Sequence, residues 1–574
     1  MNTRYIPTVK WFAGFLFLLL FTFYGEKGLC AENRPNVIII LTDDQGYGDV
    51  GFHGNPKIKT PHLDRMAKQS TELTRFYCSP VCAPTRASLL TGRNYYRTGV
   101  IHTSRGGAKM HGEEITIAEL LQQAGYQTGI FGKWHLGDNY PMRPQDQGFT
   151  ESLIHKSGGI GQSPDQPNSY LNPKLWKNGE VFQSTGYCTD VFFDAALEFI
   201  DRQQQAVKPF FVYLPTNAPH TPLEIAESYW KPYQQQGLDE TTARVYGMIT
   251  NLDENIGKLL THLDRSDLSE KTVVLFLGDN GPQQKRDTGG LRGRKSWIYE
   301  GGIRVPCLAQ WPGHFREGEK INQIAAHIDL LPTLLALTNT PRPERLKLDG
   351  VDLSPLLTGG KEKLPERSLF FQVHRGLRPQ RYQNFAVVTE RFKLTGYPGT
   401  FGNENLMLQA EPVLELYDLS VDPGERKDVL SKHPETAKTL LEQYEAWFSE
   451  MKTTRNFEPG LIVIDREQEN PSVLCRYQDG SFQQGVSEGW MVKIVRPGLY
   501  RVKINRESGK PGKLTVNWQG KALHEFLKNG ESAAEFELTA GAGLLDIWFQ
   551  AEGEDRVYPG DNSPRGDVVI TQVK

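Results

Sequence analysis

Val37-Ile38-Ile39-Ile40-Leu41-Thr42-Asp43-Asp44 sets an unbroken aliphatic run directly before two adjacent carboxylates. Such a run suits a strand buried on both faces, as in a parallel sheet, whose carboxyl end delivers the acidic side chains. Residues 272–277 repeat the design and lead into Gly278-Asp279-Asn280-Gly281. Residues 210–214 form a third run, ending in Pro215-Thr216-Asn217-Ala218-Pro219-His220. Between these strands lie helical patterns with apolar residues three and four apart, for example over 115–124 and 245–263. Alternating strand and helix predicts an open α/β fold, a mostly parallel sheet flanked by helices, whose ligands gather beyond the strand carboxyl ends. Both polar pairs fall at such ends and so share one edge.

Past about residue 365 the pattern shifts to short alternating strands at 385–388, 392–394 and 414–418. Pro434 then opens an amphipathic helix reaching about Met451, with Leu440, Leu441, Tyr444 and Phe448 on its apolar side. From residue 460 onward, period-two strands such as Tyr500-Arg501-Val502-Lys503-Ile504 are separated by Gly, Pro, Asn and Asp, the composition of a β-sandwich. The expected organisation is an α/β domain over 32–365, a small antiparallel sheet plus helix over 366–452, a linker over 452–459 and a C-terminal β-sandwich over 460–574. In the sandwich Trp548 alternates with Leu545, Ile547 and Phe549, so it is read either as an outward plane for stacking a sugar or as a packing residue.

A chain of 574 residues exceeds a single core. Its 65 basic and 68 acidic residues leave a formal net charge of -3, too little field to gather nucleic acid or an anionic membrane. Arg4 and Lys10, the apolar residues 11–24 and the small residues before Ala31 have the three-part layout of a secretory signal, expected to be removed over 1–31. The run falls short of the about 20 residues that a stable membrane span needs. Export to the periplasm or the medium follows, while Lys27 and Leu29 argue against a lipid anchor on Cys30. Cys78, Cys188, Cys307 and Cys475 read as small buried hydrophobes, although export would permit a disulfide among them.

Cys82-Ala83-Pro84-Thr85-Arg86 lies between the two polar pairs, yet a hard cation that wants Asp43, Asp44, Asp279 and Asn280 has no use for a sulfur ligand. The pentapeptide fits the pattern Cys-x-Pro-(Ser/Thr)-Arg and continues as Ala87-Ser88-Leu89-Leu90-Thr91-Gly92-Arg93. With Gly132-Lys133-Trp134-His135-Leu136-Gly137, it makes residues 33–450 resemble the type I formylglycine-dependent sulfatases of the alkaline phosphatase superfamily. The resemblance implies an alkaline-phosphatase-like fold and a maturation enzyme, formylglycine-generating or sulfatase-maturating, that oxidises Cys82 to formylglycine (3-oxoalanine). It also makes Asp43, Asp44, Asp279 and Asn280, together with residue 82, a metal site. Either acidic pair alone would read as a turn or cap; the hard oxygen set favours Ca²⁺, with Mg²⁺ second.

The resemblance further implies roles for the remaining polar residues. The aldehyde, as its hydrate, offers one hydroxyl to the sulfate sulfur and uses the second to drive sulfate out. Arg86 braces the hydrate, Lys133 neutralises sulfate and His135 takes the proton of the second hydroxyl. His220 is assigned as general acid, and Lys295, in Gly293-Arg294-Lys295-Ser296-Trp297, as ligand to sulfate and the leaving oxygen; the two could share the acid role. His374 and Arg375 and residues 397–401 are candidate sugar contacts or ordinary loop and strand residues.

Arg86, Lys133, Lys295 and a metal make a local positive funnel in a near-neutral chain, which suits a sulfate ester rather than nucleic acid. The expected activity is hydrolysis of sulfate esters of a sulfated carbohydrate, such as a glycosaminoglycan or polysaccharide fragment. Phosphomonoester or phosphodiester hydrolysis and turnover-free binding of a sulfated glycan are the alternatives.

Overall fold

The computed structural model describes residue 1 and residues 34–574, apart from 361–362, 375–377, 398–411, 481, 484–485, 488, 506–508, 559–566 and 574. The expected signal, residues 1–31, therefore lies outside the described residues except for Met1, as do Arg375 and residues 398–401.

Residues 37–41 form the middle of the strand Asn36–Thr42, and all five side chains are fully buried. Val37, Ile39 and Leu41 enter one hydrophobic core and Ile38 and Ile40 the other. A strand with two apolar faces needs a cover on each, and the sheet is accordingly sandwiched between helix layers. Cys188–Gln205 and Glu240–Arg265 cover one face through Phe192, Phe199, Met248, Leu252 and Ile256. Cys82–Thr91, Ile117–Gln123 and Leu330–Leu337 cover the other. Each of these buried aliphatic and aromatic side chains stabilises the fold by about 1.5–3 kcal/mol.

Five parallel strands run in the order Thr272–Gly278, Asn36–Thr42, Phe210–Pro215, Gln127–Lys133 and Glu151–His155. Antiparallel strands flank them, Cys307–Gln310 on one side and Lys174–Lys177 with Glu180–Gln183 on the other. Thr42 is in register with Gly278, Leu41 with Pro215 and Lys133 with His155. The segments beginning at Asp43, Thr216, Trp134 and Asp279 thus leave the sheet together.

Leu369–Gln372, Phe385–Val388, Phe392–Tyr397 and Val413–Asp418 build a four-stranded antiparallel sheet. The helix Pro434–Arg455 packs on it through Leu440, Tyr444 and Phe448. This helix extends past the expected end at Met451, because Arg455 pairs with the Glu114 carboxylate and the Arg97 carbonyl and Asn456 supplies the left-handed cap. The expected linker is correspondingly short, and Phe457 within it is buried.

The last part is a sandwich of five-stranded and four-stranded sheets, with Tyr500, Val502 and Ile504 inside, as the alternation predicts. Trp548 does lie on the opposite side of its strand from Leu545, Ile547 and Phe549. It is nevertheless buried, with the Arg556 guanidinium 4.8 Å from its ring centroid and Tyr558 beside it. It offers no open plane for a sugar. Among the described residues no helix is long and apolar enough to cross a membrane, and Cys78, Cys82, Cys188, Cys307 and Cys475 are all buried, with no disulfide joining any two of them.

Candidate active site

All ten residues singled out in the sequence converge at the carboxyl edge of the sheet. Asp43 and Asp44 follow Asn36–Thr42, Asp279 and Asn280 follow Thr272–Gly278, and Lys133 ends its own strand. Cys82 is the first residue of the helix Cys82–Thr91, entered from extended Val81, so residue 82 sits where unpaired helix N–H groups favour negative charge.

Asp43 and Asp44 each commit one oxygen to a lysine, with Lys133 Nζ 2.5 Å from Asp43 Oδ2 and Lys295 Nζ 2.6 Å from Asp44 Oδ1. The Asn280 side-chain amide also donates to Asp44 Oδ1, at 2.8 Å. Arg86 is fully buried and donates to the Asp279 carboxylate and to the Lys133 carbonyl, both at 2.8 Å. The Thr85 hydroxyl donates to the Asp279 carbonyl at 2.8 Å, which ties the helix start to the metal-side loop. Thr85 therefore has a structural duty within the motif.

Three buried oxygens remain without a hydrogen bond: Asp43 Oδ1, Asp44 Oδ2 and Asn280 Oδ1. An unsatisfied buried polar atom costs about 1–3 kcal/mol, so three of them at one edge need a common reason. A cation provides it. Candidate ligand atoms of Asp43, Asp44 and His220 lie within 4.8 Å of one another, as do those of Asp43, Cys82 and Asp279. The donor set is predominantly hard oxygen and fits a divalent ion of the Ca²⁺ or Mg²⁺ type.

The electrostatics follow from burial. Burial opposes ionisation of Asp43, but Lys133, His220, Arg86 and Lys295 together hold its carboxyl below the usual range. Burial pushes Asp279 up to about 7, helped by the Asp43 charge and opposed by Arg86 and Lys133. Burial also raises the Cys82 thiol, with Lys133 and Lys295 offsetting part of the rise, so an unmodified Cys82 is a poor thiolate here. His135 and His220 are both driven towards the neutral form, chiefly by burial. Burial would discharge Lys295, yet the Asp44 carboxylate holds it protonated.

The two histidines point their rings differently. Nε2 of His135 meets the Thr103 carbonyl at 2.8 Å, leaving Nδ1 facing Cys82 Sγ at 3.4 Å. Nδ1 of His220 meets the Thr221 carbonyl at 2.7 Å, leaving Nε2 facing Asp44 Oδ2 at 3.9 Å. A carbonyl only accepts, so these contacts assign the protonated nitrogen in each neutral ring. Asp44 and His135 both have left-handed backbone, φ 65° and 60°, a strain of roughly 1–2 kcal/mol each that places their side chains.

Several contributors carried no signal in the sequence. Arg286 donates to the Asp44 carbonyl at 2.5 Å and to the Asp49 carboxylate at 2.9 Å, although it reads as one charge in a polar loop. Gly158 and Gly159 lie against the rings: a Cβ on Gly158 would fall 2.8 Å from His135, and one on Gly159 3.2 Å from His220. Gly281 permits close approach of the loop that carries Lys295, since a Cβ there would meet the Gly301 carbonyl at 1.9 Å. His155, buried in register with Lys133, is held neutral by burial, down to about 3. His374 is buried too, its ring centroid 6.2 Å from that of Tyr96, which does not recommend it as an open sugar contact.

Residues 35–340 match the family model described as Sulfatase, and residues 293–452 the one described as N-sulphoglucosamine sulphohydrolase, C-terminal. Arylsulfatase A of Homo sapiens is 35% identical over 459 residues, covering 70% of this chain and 85% of that protein. N-acetylgalactosamine-6-sulfatase of Canis lupus familiaris is 33% identical over 385 residues, covering 62% and 72%. The crystal structure of Ps i-CgsB in complex with k-i-k-neocarrahexaose aligns with a TM-score of 0.65 at 28% identity, over 74% of this chain and 94% of that one.

Proposed function

Because the chain belongs to the sulfatase family, we propose that it releases sulfate from a sulfated carbohydrate at the edge formed by Asp43, Asp44, Cys82, Asp279 and Asn280. Hydrolysis of sulfuric esters is the reaction of this family, and its members work with a formylglycine and a divalent metal. The carbohydrate is supported by the similarity to an N-acetylgalactosamine-6-sulfatase and to a structure in complex with k-i-k-neocarrahexaose. The observation that carries the site is the set of three unpaired buried oxygens beside residue 82.

Asp43, Asp44, Asp279 and Asn280, with residue 82, would hold the ion, Ca²⁺ in preference to Mg²⁺. When present, the ion and the hydrated aldehyde made from Cys82 supply Lewis-acid charge and an oxygen nucleophile for sulfur. The surrounding residues do the rest. Arg86, pinned by two hydrogen bonds, is a fixed positive wall beside residue 82. Lys133 and Lys295 bring two further charges to the place an anion must occupy. His135 presents an unprotonated Nδ1 to residue 82 and can accept a proton there. Lys295, held protonated by Asp44, is the donor available to the leaving oxygen, and His220, whose one proton sits on Nδ1, donates from Nε2 only after taking up a second proton there. The site is almost closed to water, which strengthens each of these interactions.

Residues 1–31 are proposed to be cleaved on export, and a formylglycine-generating or sulfatase-maturating enzyme to act before folding buries Cys82. The test joins peptide mass spectrometry across 76–93 with rates on an aryl sulfate, an aryl phosphate and a panel of sulfated mono- and disaccharides. Formylglycine at 82, faster turnover of the sulfate ester and a preferred saccharide are expected. An active protein that keeps its thiol, or that prefers the phosphate ester, would overturn the proposal.

A further inference from the structure

Residues 460–574 lie beyond both family matches, which end at 340 and 452, yet the C-terminal sandwich reaches the active site. Its strand Ser472–Cys475 leads into a helical turn, Arg476–Asp479, that runs beside residues 103–109. The Arg105 amide donates to the Tyr477 carbonyl and the Gly106 amide to the Gln478 carbonyl, both at 2.9 Å. The buried Lys109 ammonium donates to the Asp479 carbonyl at 3.0 Å. Gly106 adopts φ +77°, and a Cβ there would stand 3.2 Å from the Asp479 carbonyl oxygen.

Buried Gln478 completes the junction. Its side-chain amide donates to the Thr103 carbonyl at 3.5 Å, and its side-chain oxygen accepts from the Ser157 hydroxyl at 3.3 Å. That same Thr103 carbonyl receives His135 Nε2 at 2.8 Å. The sandwich also grips the chain just after His135: the Asn139 side chain donates to the Val473 carbonyl at 2.8 Å, and Met142 is buried in the sandwich core. The Met142 carbonyl in turn accepts the Trp134 indole N–H at 2.8 Å. His135 is therefore bracketed on both sides by segments fastened to a part of the chain more than 300 residues away.

We propose that the C-terminal sandwich is a working part of the active site: its Tyr477-Gln478-Asp479 edge seats the Thr103 carbonyl against His135 and so fixes which ring nitrogen faces residue 82. The physical reason is that one backbone carbonyl on a surface loop fixes neither ring orientation nor tautomer unless the loop itself is held. Gln478 is a positioning residue, since it touches His135 only through Thr103. The proposal rests on the role given to His135 above.

The test uses the full, matured chain with Gln478→Ala and, as a second perturbation of the same junction, Gly106→Val. Val516→Ala, a cavity in the sandwich core on the sheet opposite the junction strand Ser472–Cys475, serves as the control for lost stability. Each junction variant is expected to lower kcat on an aryl sulfate by about tenfold with KM nearly unchanged, as misplacement of a reacting group does. Formylglycine content across 76–93 stays at the wild-type level, and Val516→Ala keeps its kcat.

A second readout needs no turnover. In protein labelled with ¹⁵N only at histidine, the His135 resonance, assigned through His135→Gln, is expected to show the Nε2–H tautomer in the parent and a tautomer mixture in both junction variants. An unchanged His135 spectrum, undiminished kcat in the junction variants, or an equal loss in Val516→Ala would overturn the proposal. The two readings fail differently. Full turnover by His135→Gln removes the role of His135 and the proposal with it, whereas an inactive His135→Gln beside fully active junction variants removes the proposal alone.

Discussion

Two buried ionic clusters, one around Lys393 and one around Asp43 and Asp44, differ in one respect. Around Lys393, three of the four carboxylate oxygens accept a hydrogen bond and the fourth, Glu425 Oε1, faces the Lys393 ammonium. Lys393 Nζ lies 3.1 Å from Glu300 and 2.8 Å from Glu425, the Tyr77 hydroxyl donates to Glu300 at 3.0 Å, and the Glu300 amide donates to Glu425 at 2.6 Å. Around Asp43 and Asp44 the charges are as deeply buried, but three oxygens are left over. The comparison teaches that burial and charge do not mark a site by themselves. The mark is incomplete pairing, tolerated because the binding partner is not protein.

Breaking the first cluster and breaking the second should therefore have opposite signatures. Asp44→Ala is expected to lower kcat on an aryl sulfate by about 10⁴-fold, about 5.5 kcal/mol at the transition state, while the metal-free protein loses much less stability than that in urea, because Lys295, 13% exposed, reaches water once its carboxylate partner is gone. Loss of stability in step with activity would show that Asp44 is structural. Lys393→Met should do the reverse: about 3–5 kcal/mol of stability lost, because two buried carboxylates keep their desolvation cost without their cation, and kcat per folded molecule preserved. Activity lost beyond the unfolded fraction would place the Lys393 cluster in the chemistry.

How much of this contrast was legible beforehand depends on where the information sits. Residues 37–41 and 272–277 announce a doubly covered strand, because a run without polar alternation has no solvent face, and Asp43, Asp44, Asp279 and Asn280 follow by position. Cys82, Arg86, Lys133, His135, His220 and Lys295 were readable from short signatures whose residues the fold does bring to one edge. The Lys393 cluster was not legible. Glu300 stands in none of the motifs, and its partners Tyr77, Lys393 and Glu425 come from segments 93 to 223 residues away, with no local pattern to link them. The bonds from Thr103 to His135 and from Arg105 to Tyr477 use backbone carbonyls, which every residue has and which no sequence distinguishes. Trp548 illustrates the converse: period-two alternation predicts its side of the strand but not that Arg556 and Tyr558 lie over it.

If the leftover oxygens wait for a cation, the stability of the protein should follow its occupancy. A chelator is expected to lower Tm of the parent and Ca²⁺ to restore it, with a free-energy difference of about 3 kcal/mol when the free ion is 100 times its Kd. The same titration on Asp44→Ala should give a much smaller shift, and on Lys393→Met the parental one. An equal calcium response in all three proteins would move the ion away from this edge.

The smallest effect concerns histidines that belong to neither cluster and separates acid sensitivity of the fold from that of the site. His327 and His374 are each held neutral by burial, down to about 3 from an ordinary 6.5. Between those values the unfolded chain binds a proton that the folded chain does not. Folding stability therefore falls as pH drops through about 6.5 and keeps falling towards 3, by about 2 kcal/mol per histidine between pH 6.5 and 5. His374→Gln keeps a polar side chain beside the Tyr96 hydroxyl, 3.4 Å from Nδ1 in the parent, and removes the titration. Urea midpoints at pH 7 and 5 should thus converge in His374→Gln relative to the parent, with the calcium response unchanged. A parental pH slope in that variant would mean that His374 gains water on protonation at little cost and that the acid sensitivity resides at the carboxylate edge.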